Sequence, residues 1–192
     1  MIDVGKVIAD HLEVTSQLPQ LRPQIEQIAA RMTSVVLSGG KVFWMGNGGS
    51  AADSQHLAAE LVARFSRERR ALASIALTTD SSVLTAVAND YSFDAVFGRQ
   101  LEAQCDPNDV VVGISTSGNS ENVVSGVRTA KALGAFTVVL TGQGGGRLAR
   151  EADAALIVPS NVTARIQEAH ILIGHIFCDW IETAVILSEK DS

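Results

Sequence analysis

Cysteine, proline and aromatic residues are all scarce in this sequence: 2 Cys, 4 Pro and 1 Tyr in 192 residues, with aromatics at 5%. Two thiols in a chain of this length do not make a disulfide framework, so Cys105 and Cys178 read as reduced core residues. A basic surplus is also missing. Lys plus Arg is 15 against 21 for Asp plus Glu, a net charge of −6. That balance argues against a protein that grips a phosphate backbone over a broad face, though not against a local basic patch. No stretch approaches the roughly 18 to 20 consecutive apolar residues that span a bilayer. The opening Met-Ile-Asp-Val-Gly-Lys lacks a basic region followed by an apolar one, so no signal peptide is expected. What is abundant is apolar content, at 46% with 19% charged residues, enough for a sizeable core and too much for disorder. The expectation is a soluble, cytoplasmic chain forming one domain over residues 1–192.

The first forty residues carry helical periodicity. Val4, Val7, Ile8 and Leu12 recur at spacings of one turn, as do Leu21, Ile25, Ile28, Ala29, Met32, Val35 and Val36. Pro19 and Pro23 punctuate the two runs, and Gly39-Gly40 closes the second. From Lys41 the pattern changes to short apolar runs alternating with helical segments. Val42–Met45, Ala73–Leu77, Val110–Ile114, Phe136–Leu140 and Ala155–Val158 read as five strands. Helices are expected over about 51–65, 82–88, 121–133 and 163–187. Unbroken apolar strands separated by helices imply a doubly wound parallel sheet with helices on both faces, in three layers, preceded by the N-terminal helices.

Ligands of such sheets bind outside the carboxyl ends of the strands. Three strand ends here carry small polar loops: Gly46–Ser50, Thr78–Asp80 and Ser115–Ser120. The third supplies hydroxyls from Ser115, Thr116, Ser117 and Ser120, with Gly118 for close backbone approach and Ser120 placed to N-cap the following helix. Hydroxyls beside a helix N-terminus suit a phosphate monoester; a plain capped turn is the other reading. The first loop matches a relaxed dinucleotide fingerprint, Gly46-x-Gly48-x-x-Ala51, but the acid about 20 residues further on is missing. Asn47 and Ser50 fit contacts to a polyol better. His56 and Glu60 lie four apart on one helix, and Gln167 and His175 eight apart on another, so each pair shares a face. His, Glu, Gln and His form an acceptable donor set for a borderline metal, while a solvated surface pair fits the same spacing. His170 competes with His175, and spacing does not choose between them.

Taken together, Gly46-Asn-Gly-Gly-Ser-Ala-Ala-Asp53, Gln55-His56-x-x-x-Glu60, Ala76-Leu-Thr-Thr-Asp80 and Ala88-Asn89-Asp90-Tyr91 form an ordered series of motifs. It continues with Gly113-Ile-Ser-Thr-Ser-Gly-Asn-Ser120, Leu140-Thr-Gly142 and Arg165-Ile-Gln-Glu-x-His170, with His175 beyond. In these residues, across nearly its whole length, the sequence resembles the sugar isomerase (SIS) domain family, and within it the phosphoheptose isomerases. The resemblance implies a flavodoxin-like sheet and a homotetramer with active sites between subunits. The implied reaction takes sedoheptulose 7-phosphate to D-glycero-D-manno-heptose 7-phosphate, the first step of ADP- or GDP-heptose synthesis for lipopolysaccharide. By the same resemblance, zinc falls at His56, Glu60, Gln167 and His175, which favours His175 over His170. Substrate contacts fall at Asn47, Gly48, Gly49, Glu60, Asn89, Asp90, Ser115, Thr116, Ser117, Ser120 and Gln167, with Glu60 as base and His175 as acid. An aspartate that some members carry before the Arg-Ile-Gln run is Ala164 here. Arg64, one turn after Glu60, is expected to pair with it, with phosphate as the other possible partner. Two alternatives stand beside the isomerase: a non-catalytic relative that binds the bacterial replication initiator, and another sugar-phosphate isomerase or sensor on the same fold.

Overall fold

Alternate residues of a strand face opposite sides of its sheet, and in this chain both sides are apolar. In the computed structural model, which describes residues 1–190, strands β1 (Val42–Gly46) and β3 (Val110–Ser115) are buried at every position. With β2 (Ser74–Ala76), β4 (Phe136–Thr141) and β5 (Ala154–Ile157) they form one parallel sheet in the order β2-β1-β3-β4-β5. Trp44, Val112, Leu140 and Leu156 point to one face, where they meet α1 (Val4–Gln17), α2 (Arg22–Leu37), α3 (Gly49–Val62) and α8 (Thr163–Lys190). Phe43, Met45, Val111 and Val139 point to the other, packing on α4 (Ser81–Asp90), α5 (Gly98–Gln104), α6 (Glu121–Ala132) and α7 (Leu148–Glu151). This is the three-layer doubly wound arrangement expected, and the five strands fall within two residues of their predicted limits. Pro19 sits in a 3-10 turn between the first two helices and Pro23 in the first turn of α2, the positions where a missing N–H costs nothing.

Helices α5 and α7 have no counterpart in the sequence reading. Each is too short, at 7 and 4 residues, to show a helical period. Helix α8 runs for 28 residues and by length and composition alone could cross a membrane. In this fold it is a core helix. Ile166, Ile173, Phe177, Ile181 and Val185 are fully buried against the sheet layer, and the same buried face carries His170 and Glu182. Both cysteines are free and buried, and burial raises their thiols to about 11 for Cys105 and about 12 for Cys178, in keeping with inert core residues.

Candidate active site

β1 and β3 lie side by side, so their C-terminal loops do too. The two loops are joined by a reciprocal amide pair: Asn47 Nδ2 donates to Asn122 Oδ1 and Asn122 Nδ2 to Asn47 Oδ1, both at 2.8 Å. Asn122 had no motif to mark it, because its partner lies 75 residues away. In the serine loop, the Ser115 and Ser120 hydroxyls stand 2.9 Å apart, and Ser117 Oγ accepts from the Asn119 N–H at 3.2 Å. Ser120 occupies the N-cap position of α6, but its hydroxyl makes no capping bond. It turns to Ser115 instead, a correction to the expected side-chain cap. Only its backbone carbonyl serves the helix, accepting from Val123 and Val124. Gly118, at φ +65°, lies so close to the 142–146 loop that a Cβ there would stand 2.1 Å from the Gly145 carbonyl oxygen. Thr116 ties the same loop through its carbonyl, which accepts from Gly142 N at 3.1 Å.

Helix α3 starts at the Gly46–Ser50 loop with Gly48 at its N-cap and Ser50 buried in its first turn. Seven residues on, roughly 10 Å of helix rise, it presents His56. His56 Nε2 is 2.9 Å from His175 Nε2 of α8 and 3.3 Å from Glu60 Oε1, so the three predicted groups meet. The rings of His56 and His175 lie 5.1 Å apart, and the Phe65 ring lies 5.5 Å from that of His175, tilted to it. Burial and then His56 lower the His175 pKa, and Glu60 partly offsets this. Asp53, one turn before His56, has a buried Oδ2 with no hydrogen-bond partner, and burial raises its pKa.

The other predicted residues fall elsewhere. Gln167 stands two turns before His175, roughly 12 Å of helix rise. Its amide packs on Gly49, where a Cβ would lie 2.5 Å from Nε2. Asn89 and Asp90 pair with each other at 2.8 Å on the exposed end of α4. Arg64 binds Glu68 at 2.6 Å, not Glu60; Glu68 lies on the chain beyond α3, free of the competition from His56 that Glu60 faces. His170 is fully buried, with Nε2 3.1 Å from the Thr141 carbonyl, and belongs to the core. Burial lowers its pKa to about 4. An unfolded His titrates near 6.5, so the unfolded chain binds the extra proton first. Stability is then complete above about pH 6.5 and falls as pH drops towards 4, by about 3 kcal/mol from this group. Urea unfolding of the wild type and His170→Asn at pH 7 and pH 4.5 should show a flatter pH dependence in the variant; equal slopes would acquit His170.

Among the described residues, no three His, Cys, Asp or Glu side chains form a ready metal cage. The donor chemistry at His56, Glu60 and His175 nevertheless suits zinc. Two nitrogens bound tetrahedrally at 2.0–2.1 Å stand about 3.3 Å apart, so the 2.9 Å ring pair would open by a few tenths of an ångström. The fit is to three of the four predicted ligands, since Gln167 is at Gly49. A cleft of about 200 Å³ lies beside the first loop, lined by Asn47, Gly48, Ala51, Thr78 and Phe93. A larger hollow of about 500 Å³, beside Arg31 and Phe136, sits at the opposite ends of β4 and β5, away from where such sheets bind ligands.

The SIS domain family profile matches residues 8–142. A phosphoheptose isomerase of Aquifex aeolicus is 51% identical over 183 residues, covering 95% of this chain and 96% of its own. One from Citrifermentans bemidjiense is 48% identical over 191 residues, 99% of this chain and all of the other. The solved phosphoheptose isomerase of Neisseria gonorrhoeae superposes with a TM-score of 0.89 at 43% identity, covering 94% of this chain and 97% of that one.

Proposed function

The chain belongs to the SIS-domain family, and from that membership we propose that it interconverts sedoheptulose 7-phosphate and D-glycero-D-manno-heptose 7-phosphate through an enediol. It is a sugar-phosphate isomerase, and the observation that carries the chemistry is the meeting of Glu60 and His175 at the His56 ring. Aldose–ketose isomerisation needs a base, an acid and a stabilised oxygen. The Glu60 carboxylate takes the proton from C1 of the ketose as the C2 carbonyl oxygen gains one from His175. The resulting enediol receives a proton at C2 and releases the O1 proton, which leaves an aldehyde at C1. Zinc, if held by His56, Glu60 and His175, would supply Lewis-acid polarisation of the sugar oxygens. Asn47, Gly48, Gly49, Ser50, Asn89 and Asp90 are assigned to the polyol, and Ser115, Thr116, Ser117 and Ser120 with the start of α6 to the phosphate.

A homotetramer with D2 symmetry, acting in the cytoplasm in lipopolysaccharide heptose synthesis, completes the proposal. Exposed Leu172, Ile176 and Trp180 on α8, beside the Leu18–Ile25 segment, support burial of that face between copies. Light scattering at assay concentration should read four chains; an active monomer would contradict shared sites. Turnover of sedoheptulose 7-phosphate, measured with and without chelator, tests the whole reading. Sugar-phosphate binding without turnover in metal-loaded protein would defeat it in favour of a non-catalytic regulator.

The phosphate loop makes a separate prediction. Ser117→Ala should raise KM by an amount equivalent to roughly 1–3 kcal/mol while the fold survives, because one hydrogen bond to a charged group is lost. An unchanged KM, with inorganic phosphate still protecting the variant, would move the phosphate elsewhere.

A further inference from the structure

A carboxylate inside a protein is costly unless its oxygens are satisfied. Glu182, on the buried face of α8, is fully enclosed. Its Oε1 accepts from the N–H of Ser66 at 3.0 Å, the N–H of Arg67 at 2.8 Å and the Ser66 hydroxyl at 3.1 Å, and its Oε2 accepts from the N–H of Phe65 at 2.8 Å. The enclosed Arg69 guanidinium lies 3.6 Å from Oε2. Burial opposes the charge, yet the backbone donors hold this carboxyl below the usual range. A stretch of chain just after α3 is thereby strapped to α8 at Glu182, and Arg67 adds bonds to Asp179 Oδ1 and Thr183 Oγ1 of the same helix, both at 2.6 Å. The strap touches both residues assigned to proton transfer, at the His175 ring and at the backbone of Glu60. Phe65 packs on the His175 imidazole at 5.5 Å, and Arg69 donates to the Glu60 carbonyl at 2.8 Å and the Ala63 carbonyl at 3.1 Å, at the last turn of α3. His175 and Glu182 are two turns apart on one face of α8. A clamp needed only to close a turn has no reason to touch both.

We propose that Glu182 and Arg69 are positioning residues for the isomerisation, strapping residues 63–70 to α8 so that Phe65 and the end of α3 hold the His175 ring and the Glu60 carboxylate in register. This rests on the isomerase reading of the site. The two proton-transfer groups sit on different helices, and misplacement of about 1 Å in such a pair costs up to roughly 100-fold in rate.

The test uses the full chain as Glu182→Gln, Glu182→Asp and Phe65→Leu. Glu182→Gln should lower kcat for sedoheptulose 7-phosphate by roughly 10- to 100-fold with KM within about twofold, and Glu182→Asp should recover part of it. In metal-free Glu182→Gln, the imidazole NMR signal of His175 should move or broaden while those of His11 and His170 stay in place. A folded Glu182→Gln with wild-type kcat, or with an unmoved His175 signal, overturns the proposal. If that variant does not fold, Phe65→Leu, which leaves the clamp intact, must show the kcat loss; a wild-type kcat there is equally fatal. Absence of turnover in the wild type sinks the isomerase reading instead, and the His175 signal still reports whether the clamp places the ring.

Discussion

Glu60→Gln should cut kcat by about 10²- to 10⁴-fold and leave KM for sedoheptulose 7-phosphate nearly unchanged, the range a positioned acid or base contributes. Glutamine keeps the size of the side chain and can still meet His56 Nε2, now 3.3 Å from Oε1, so the pocket should hold its shape. What disappears is the carboxylate proposed to carry the proton away from C1. Exchange of solvent hydrogen into C1 or C2 should fall in parallel, because an enediol route passes that proton through an enzyme group. His175→Gln should lose rate similarly and, on the proposed zinc site, also lower zinc content, since one substitution would remove both the proposed acid and a proposed ligand. Normal turnover in both variants would leave the fold and family intact and show that the proton moves through other residues.

Gly118→Ala should unfold the protein more readily by roughly 2–6 kcal/mol, the sum of a left-handed backbone imposed on alanine and a hard overlap. The overlap is with backbone: the new Cβ would stand 2.1 Å from the Gly145 carbonyl oxygen and 3.0 Å from Gly146 N. That neighbour cannot swing aside. Leu148 N donates to the Gly118 carbonyl at 3.0 Å, and Arg147 N donates to Asn119 Oδ1 at 3.1 Å, so the two loops are stitched together. A melting point lower by roughly 5–20 °C is expected for a chain of this size, with a raised KM because the hydroxyls of Ser115, Ser117 and Ser120 lose their frame. Gly144→Ala is the control. Its φ is +77°, but nothing lies within 4 Å of the added carbon, so only the backbone cost of about 1 kcal/mol should remain. Equal melting points for the two variants would refute the contact as the cause.

Period and polarity along the chain determined the layered sheet and its strand runs, because burial on both faces leaves largely apolar runs in Val110–Ser115 and Phe136–Thr141. They also determined that His56 and Glu60 share a turn of α3, since a helix of known pitch fixes neighbours four apart. Tertiary structure alone decided the rest. It chose Glu68 for Arg64, turned the Ser120 hydroxyl from its helix to Ser115, sent His170 to the core while His175 met His56, and left Gln167 beside Gly49. It also bound Asn47 to Asn122 and Glu182 to the strap at Phe65–Arg67, across 75 and about 116 residues. A glutamate inside the apolar run Ile181–Val185 marks an anomaly in the sequence, but the partners that make it affordable are set by where α3 ends against α8. Local spacing encodes which side chains share a face; which face meets which is decided only when the whole core packs.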